Sequence, residues 1–201
     1  MRHCAKSAAA VSVLIMLFIG CDSQKPAGAP SSEAASKLAA HATPWRPRPL
    51  TDRKFERTPA RMERGQYLVE HVTGCFGCHS VLDFKKPGLP PKPGFKGSGD
   101  VLTPDEALLP PPYQVVHPNI SPDPETGAGK WTDDMIARAI REGVGHDGRA
   151  LTPYMPYKDY RALPDEDLAS VVVYVRSIPP VRHALPKSNF PKELLESLHP
   201  E

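Results

Sequence analysis

An all-α fold, built from short helices linked by long Pro- and Gly-rich loops, is predicted for the folded part of this chain. Three observations predict it. The apolar residues in 131–143 and 164–178 recur with helical spacing. Twenty-five prolines and 14 glycines among 201 residues break up most other stretches, and strands do not alternate with helices in the way a parallel sheet requires. Finally, residues suited to start helices (Thr58, Thr132, Pro164) and to end them (Gly74, Gly143, Pro179) bound three segments of helical length.

The first element expected within the folded unit starts at Thr58. Thr58 suits an N-cap and Pro59 the first helical position, so a short helix should run to about His71, with Gly74 ending it before the cysteines. Residues 80–118 carry many prolines and glycines without clear periodicity and read as a long loop. A second helix is expected from Thr132 as N-cap, through Asp133 and Asp134 at its positive start, to Gly143. It places Met135, Ile136, Ala139 and Ile140 on one face, so Met135 is expected in the core. A third helix opens with Pro164-Asp165-Glu166-Asp167 and stops before Pro179-Pro180. Its valine run, Val171 to Val173 and Val175, is compatible with a strand, but the acidic opening and the Leu168, Val171, Val172, Val175 spacing favour a helix. The tail after Leu185 is expected to be peripheral, with a small helix over 192–198. The organisation is thus a leader over 1–20, a flexible tether over 21–57, a folded domain over 58–185 and a tail over 186–201.

The Cys75–His79 pentapeptide has the form of a covalent haem attachment site. Two thiols at this spacing can add to the two vinyl groups on one haem edge, and the next histidine, His79, then faces the iron. A zinc site needs four ligands, from a second Cys-x-x-Cys or a His pair, and neither occurs. A thioredoxin-like redox pair belongs beside a βαβ pattern, which is missing. One covalently bound haem c implies a one-electron carrier.

Residues 1–20 read as an export signal: Arg2 and Lys6 precede an apolar run from Ala8 to Ile19 that is short for a bilayer span. Phe18-Ile19-Gly20-Cys21 resembles the bacterial lipobox, with Phe18 where leucine is usual. That resemblance implies lipidation of Cys21, with an ordinary cleaved signal or an uncleaved anchor as the alternatives. Asp22 resembles an inner-membrane retention signal, so the expected location is the periplasmic side of a bacterial membrane, lipid-anchored. Cys4 leaves with the leader, Cys21 takes lipid, and Cys75 and Cys78 take haem, so no pair remains for a disulfide. Without Arg2 and Lys6 the 25 basic residues fall level with the 23 acidic ones, which argues against nucleic acid as a partner. Arg46, Arg48, Arg53, Lys54, Arg57, Arg61 and Arg64 cluster ahead of the haem motif and read as a solvated face, with anionic headgroups or an acidic partner as the sharper alternative.

Residues 60–180 resemble class I c-type cytochromes, and within them the haem domains in cytochrome c subunits of bacterial membrane-bound dehydrogenases. The resemblance lies in His117-Pro118-Asn119-Ile120-Ser121-Pro122-Asp123, in Gly127 to Asp133, in Ala139-Ile140-Arg141-Glu142-Gly143-Val144, in Asp147 to Leu151 and in Pro153-Tyr154-Met155-Pro156-Tyr157. It implies the class I cytochrome c fold, with Met155 as the distal iron ligand opposite His79. Pro153 and Pro156 restrain the backbone on both sides of that methionine. Met62 and Met135 are weaker candidates, and His71, His117, His146 and His183 keep bis-histidine ligation open. The resemblance also implies a close crossing of the first and last helices at Gly65 and Tyr174. It further implies a proline carbonyl, sought between Pro87 and Pro112, that orients His79. Trp131 and Arg149 could equally line the haem propionates or be a core indole and a solvated cation. Asp123 and Glu125 look faintly like calcium ligands, but an exposed turn is the expected reading.

His/Met ligation raises the reduction potential and leaves no position open for substrate. The expected role is therefore an electron shuttle or electron-transfer subunit between a dehydrogenase and a cytochrome or oxidase acceptor, with no catalytic residue. The competing expectation is a haem enzyme or gas or redox sensor in which Met155 is labile.

Overall fold

The computed structural model describes residues 46–103 and 113–199. The expected leader, Cys4, the expected lipidation site Cys21 and most of the expected tether lie outside these residues. None of the described helices is long and apolar enough to cross a membrane. Helix α1 spans Pro59–Tyr67 and is extended by a π-helical turn, Leu68–Val72. Helix α2 is the single turn Cys75–Cys78. Strands β1 (Asp100–Val101) and β2 (Val116–His117) pair antiparallel, Asp100 opposite His117. Then follow α3 (Asp133–Glu142), α4 (Tyr157–Tyr160), α5 (Asp165–Val175) and α6 (Lys192–Ser197).

The helix starts are where the capping residues put them. The Thr58 hydroxyl accepts the Arg61 amide at 3.2 Å, and the Thr132 hydroxyl accepts the Met135 amide at 3.1 Å. Each cap satisfies a donor that has no partner within its own helix. Gly143 ends α3 at φ 67°, a left-handed conformation that a side chain disfavours. Met135 departs from expectation: it is only half-buried, and its sulfur receives the Thr132 amide at 3.5 Å. It completes the helix cap instead of filling the core, because the apolar stripe of α3 turns through Ile136, Ala137 and Ala139.

The valine run is helical, as its spacing implies, and α5 is the central helix of the core. Val171, Tyr174 and Val175 pack with Leu68, Val69, Phe76 and Ile178, while Leu168 and Val172 pack with Ala128, Ile136 and Ala137. Helix α1 crosses α5 at Gly65, where an added Cβ would overlap the Ser170 carbonyl and lie 2.7 Å from the Tyr174 Cβ. Three acidic residues open α5 near its positive end, and each meets an arginine: Asp165 with Arg141, Glu166 with Arg61 and Asp167 with Arg64.

Two boundaries differ from the sequence reading. Residues 46–57, expected as tether, are extended but docked on α3. Arg48 binds Asp134 at 2.8 Å and Glu142 at 2.7 Å; the Thr51 and Phe55 amides bind Asp134 and Asp133 at 2.7 and 2.8 Å. The side chain of Phe55 packs on the Ile136 cluster. Backbone amides and one guanidinium hold this segment, so its poverty in apolar residues gave no sign of order. The C-terminal segment is likewise attached. Asn119 donates to the Val181 carbonyl at 2.7 Å, the Val116 amide donates to the Ser188 hydroxyl at 3.1 Å, and Phe190 stacks on Tyr113 at 5.5 Å. Leu195 and His199 are buried, so the expectation of a peripheral tail is corrected.

Candidate haem site

Gly74, at φ 60°, turns the chain out of the π-helical segment and starts α2. Its carbonyl accepts the Gly77 amide at 2.9 Å, and the Cys75 carbonyl accepts the His79 amide at 2.9 Å. This one turn sets Cys75, Cys78 and His79 in sequence around a short helix. Both cysteines are unpaired, Cys78 being exposed and Cys75 half-buried. Burial pushes both thiols up, and the Thr73 hydroxyl lies 3.2 Å from the Cys75 sulfur.

His79 is buried, and desolvation lowers its pKa to about 4, so the imidazole is neutral. Its Nδ1 lies 2.8 Å from the Pro118 carbonyl. A carbonyl can only accept, so Nδ1 carries the proton and Nε2 keeps its lone pair, as a metal-binding histidine requires. Pro118 follows β2 directly and lies outside the Pro87–Pro112 range in which the orienting proline was sought. The pairing of β2 with β1, together with the Gly99 amide donating to the His79 carbonyl at 3.1 Å, fixes it there. Its position inside the His117-Pro118-Asn119 run was the available signal.

The other candidate histidines have different surroundings. His117 is half-buried and lies 5.9 Å from the His79 ring. His146 stacks on Trp131 at 4.4 Å. His183 lies 3.2 Å from the Ser98 carbonyl and edge-on to Phe95, and exposed His71 sits beside Tyr67. Met62 packs against the first core cluster and its sulfur accepts from Ser177 at 3.2 Å.

Met155 is half-buried in the loop between α3 and α4. Its amide donates to the Thr152 carbonyl at 3.1 Å, and its carbonyl accepts the Tyr157 amide at 2.8 Å. Further along α4, the Tyr160 hydroxyl donates to the Thr73 carbonyl at 2.9 Å. Burial, with smaller contributions from Cys75 and Cys78, raises Tyr160 to about 12. The methionine loop and the cysteine turn are therefore joined through α4, a link with no sequence signature.

Trp131 packs on the second core cluster as well as on His146, and Arg149 pairs with Asp147 at 3.3 Å. Asp123 is buried, not exposed; its carboxylate accepts the Glu125 and Thr126 amides and the Thr126 hydroxyl, which holds its pKa low. Among the described residues no cluster of acidic, histidine and cysteine groups forms a separate metal site. Lys96 lies 4.8 Å above the Phe76 ring and binds Glu70 at 2.5 Å, and Tyr174 donates to the same carboxylate. Glu70, Phe76 and Lys96 border a cleft of about 490 Å³ along one side of α2; neither His79 nor Met155 lines it.

A family model for cytochrome c matches residues 62–179. The chain belongs to the cytochrome c family. It is 35% identical over 157 residues to a nicotinate dehydrogenase subunit of Pseudomonas putida, covering 76% of this chain and 12% of that protein. Against the gluconate 2-dehydrogenase cytochrome c subunit of Pantoea cypripedii it is 35% identical over 133 residues, 66% of this chain and 26% of the relative. A diheme cytochrome c-type protein of Cereibacter sphaeroides is 28% identical over 148 residues, 71% of this chain and 45% of the relative. The chain thus spans less than half the length of each of these relatives. A cytochrome c domain carries covalently bound haem c, and the donor set here fits that group: two unpaired thiols three residues apart, followed by a buried neutral histidine with one nitrogen available.

Proposed function

We propose that this cytochrome c is a one-electron carrier, a shuttle or an electron-transfer subunit, working between a periplasmic or membrane dehydrogenase and a downstream acceptor. The observation that carries the reading is the orientation of His79 by Pro118 beside two unpaired thiols. Cys75 and Cys78 would hold one haem c covalently, and His79 and Met155 would supply its iron-binding side chains. When bound, the haem supplies a redox couple, and the protein's own part is to hold both ligands in place and shield the iron from water. Were His79 and Met155 both to bind the iron, no position would remain for substrate, and the chain itself would need no catalytic acid or base. The dehydrogenase partner is suggested by the relatives, whose names include cytochrome c subunits of gluconate and quinone-linked alcohol dehydrogenases.

The Met155 assignment is supported by the half-buried loop that holds it and by the contacts His146 and His183 make elsewhere. A visible and near-infrared spectrum of the oxidised haem-loaded protein tests it. A methionine-to-ferric-iron charge-transfer band, lost in Met155→Ala together with a fall in potential, is the expected result. High-spin iron that takes carbon monoxide readily on reduction would instead favour a haem enzyme or sensor with a labile methionine. Export and lipidation at Cys21, with the chain on the periplasmic face of the inner membrane, complete the proposal. Cys21→Ser should move the protein from the membrane to the soluble fraction; continued membrane retention would remove the lipid anchor from it.

A further inference from the structure

The family match ends at residue 179, yet the chain beyond it is bonded to the segments that carry Pro118 and Met155. Near the proximal side, the Val181 carbonyl accepts from Asn119, one residue after the Pro118 that orients His79. The segment then passes β2 through Ser188 and reaches α6. Among the described residues it reaches His199, which is 5% exposed. There the imidazole makes two contacts on a single loop. His199 Nε2 donates to the Leu151 carbonyl at 3.0 Å, and the ring stacks on Tyr157 at 4.6 Å and 12°. Tyr157 is fully buried, and both rings abut Gly143, where an added Cβ would lie 2.6 Å from the tyrosine ring and 2.7 Å from His199. Leu151 and Tyr157 are the two ends of the loop that carries Met155, and the Tyr157 amide donates to the Met155 carbonyl.

We propose that His199 is a positioning residue for the distal methionine: the C-terminal segment closes over the loop and staples both its ends. The proposal rests on the reading of Met155 as the distal ligand. The physical need is specific. A thioether bonds iron weakly compared with a nitrogen base, so its occupancy depends on how much of the time the loop is closed. Short loops without regular structure open locally at low cost. One hydrogen bond and one aromatic stack, each at a different end, oppose that opening without touching the metal.

Imidazole titrated into the oxidised, haem-loaded full-length protein competes with Met155 and so reads loop opening. His199→Ala is expected to bind imidazole about 10- to 100-fold more tightly than the parent, from the loss of one buried hydrogen bond and one ring stack. His199→Phe keeps the stack and His199→Gln keeps a donor, so both should fall between; they also serve if the alanine variant does not mature. Met155→Ala should bind most tightly, and adding His199→Ala to it should change nothing more. Urea unfolding of each variant separates the two possible roles, since a merely structural residue lowers global stability and leaves native imidazole affinity where it was. Parent-like affinity in His199→Ala, with tighter binding in Met155→Ala, overturns the proposal. Parent-like affinity in Met155→Ala shows instead that the distal assignment is wrong, and the proposal goes with it.

Discussion

Asp134 shows how one buried carboxylate organises its surroundings. Its side chain is fully buried beside Arg48 and takes the Thr51 amide as well, and these partners hold its pKa far below the usual 3.8. A carboxylate with a depressed folded pKa adds stability that is present above the unfolded value and lost as pH falls below it. Removing the guanidinium leaves a buried charge short of its main partner, so Arg48→Ala is expected to cost about 3 kcal/mol at pH 7. At pH 3, just under 3.8, the parent should already have lost about 1 kcal/mol of that advantage, so the gap between the two proteins narrows. Urea titrations at both pH values check this; a gap that stays constant would show that the pair does not couple to protonation. The sequence made Asp134 visible only as a favourable charge at a helix start. Its partner lies 86 residues away in a segment that composition marked as unstructured, and no periodicity links the two. His79 is the opposite case: its proposed role follows from its neighbours in sequence, while the carbonyl that orients it, 39 residues on, has no local signal.

At the scale of elements, legibility follows whether the signal is local. Helices α1 and α3 could be read because a threonine hydroxyl caps each one, and α3 because a glycine also ends it. Helix α5 could be read because its acidic first turn answers the helix dipole and its apolar residues keep helical spacing. The described stretches between α2 and α3 and at either end could not, because what holds them, the β1–β2 pairing, isolated hydrogen bonds and a few packed side chains, joins residues far apart in sequence. The crossing of α1 over α5 lies between these cases, since Gly65 is conspicuous but what it meets belongs to another helix. There the carbonyl of Ser170 and the Cβ of Tyr174 leave no room for a methyl group. Gly65→Ala is therefore expected to destabilise by about 2–3 kcal/mol, the usual cost of overpacking a site that cannot relax. An alanine favours an isolated helix over glycine by up to about 1 kcal/mol, which works against this loss without cancelling it. Thermal unfolding with haem attached measures the outcome. Stability equal to the parent's would mean that the helices shift apart freely, contrary to the backbone contact at the crossing.

The whole molecule has two apolar clusters of modest size and no disulfide among its described residues. Both clusters use α5, and one of them includes Phe76, which with Gly77 lies between Cys75 and Cys78. On the proposed attachment, haem bound to that turn would be coupled to the core directly and would add to the folding free energy. How it adds depends on the thioether links. A group joined covalently cannot leave on unfolding, so stability is independent of free haem. A group held only by His79 and Met155 stabilises by mass action, by an amount that grows with free haem and vanishes when haem is removed. Cys75→Ala combined with Cys78→Ala should therefore give protein whose haem is extracted by acidic organic solvent. Its Tm should fall when a haem scavenger is present, at about 2–8 °C for each kcal/mol lost. The parent should resist extraction and show one Tm with or without scavenger. Haem that stayed on the denatured double variant would mean that other side chains form the covalent link, and the cysteine turn would lose its central place in the fold.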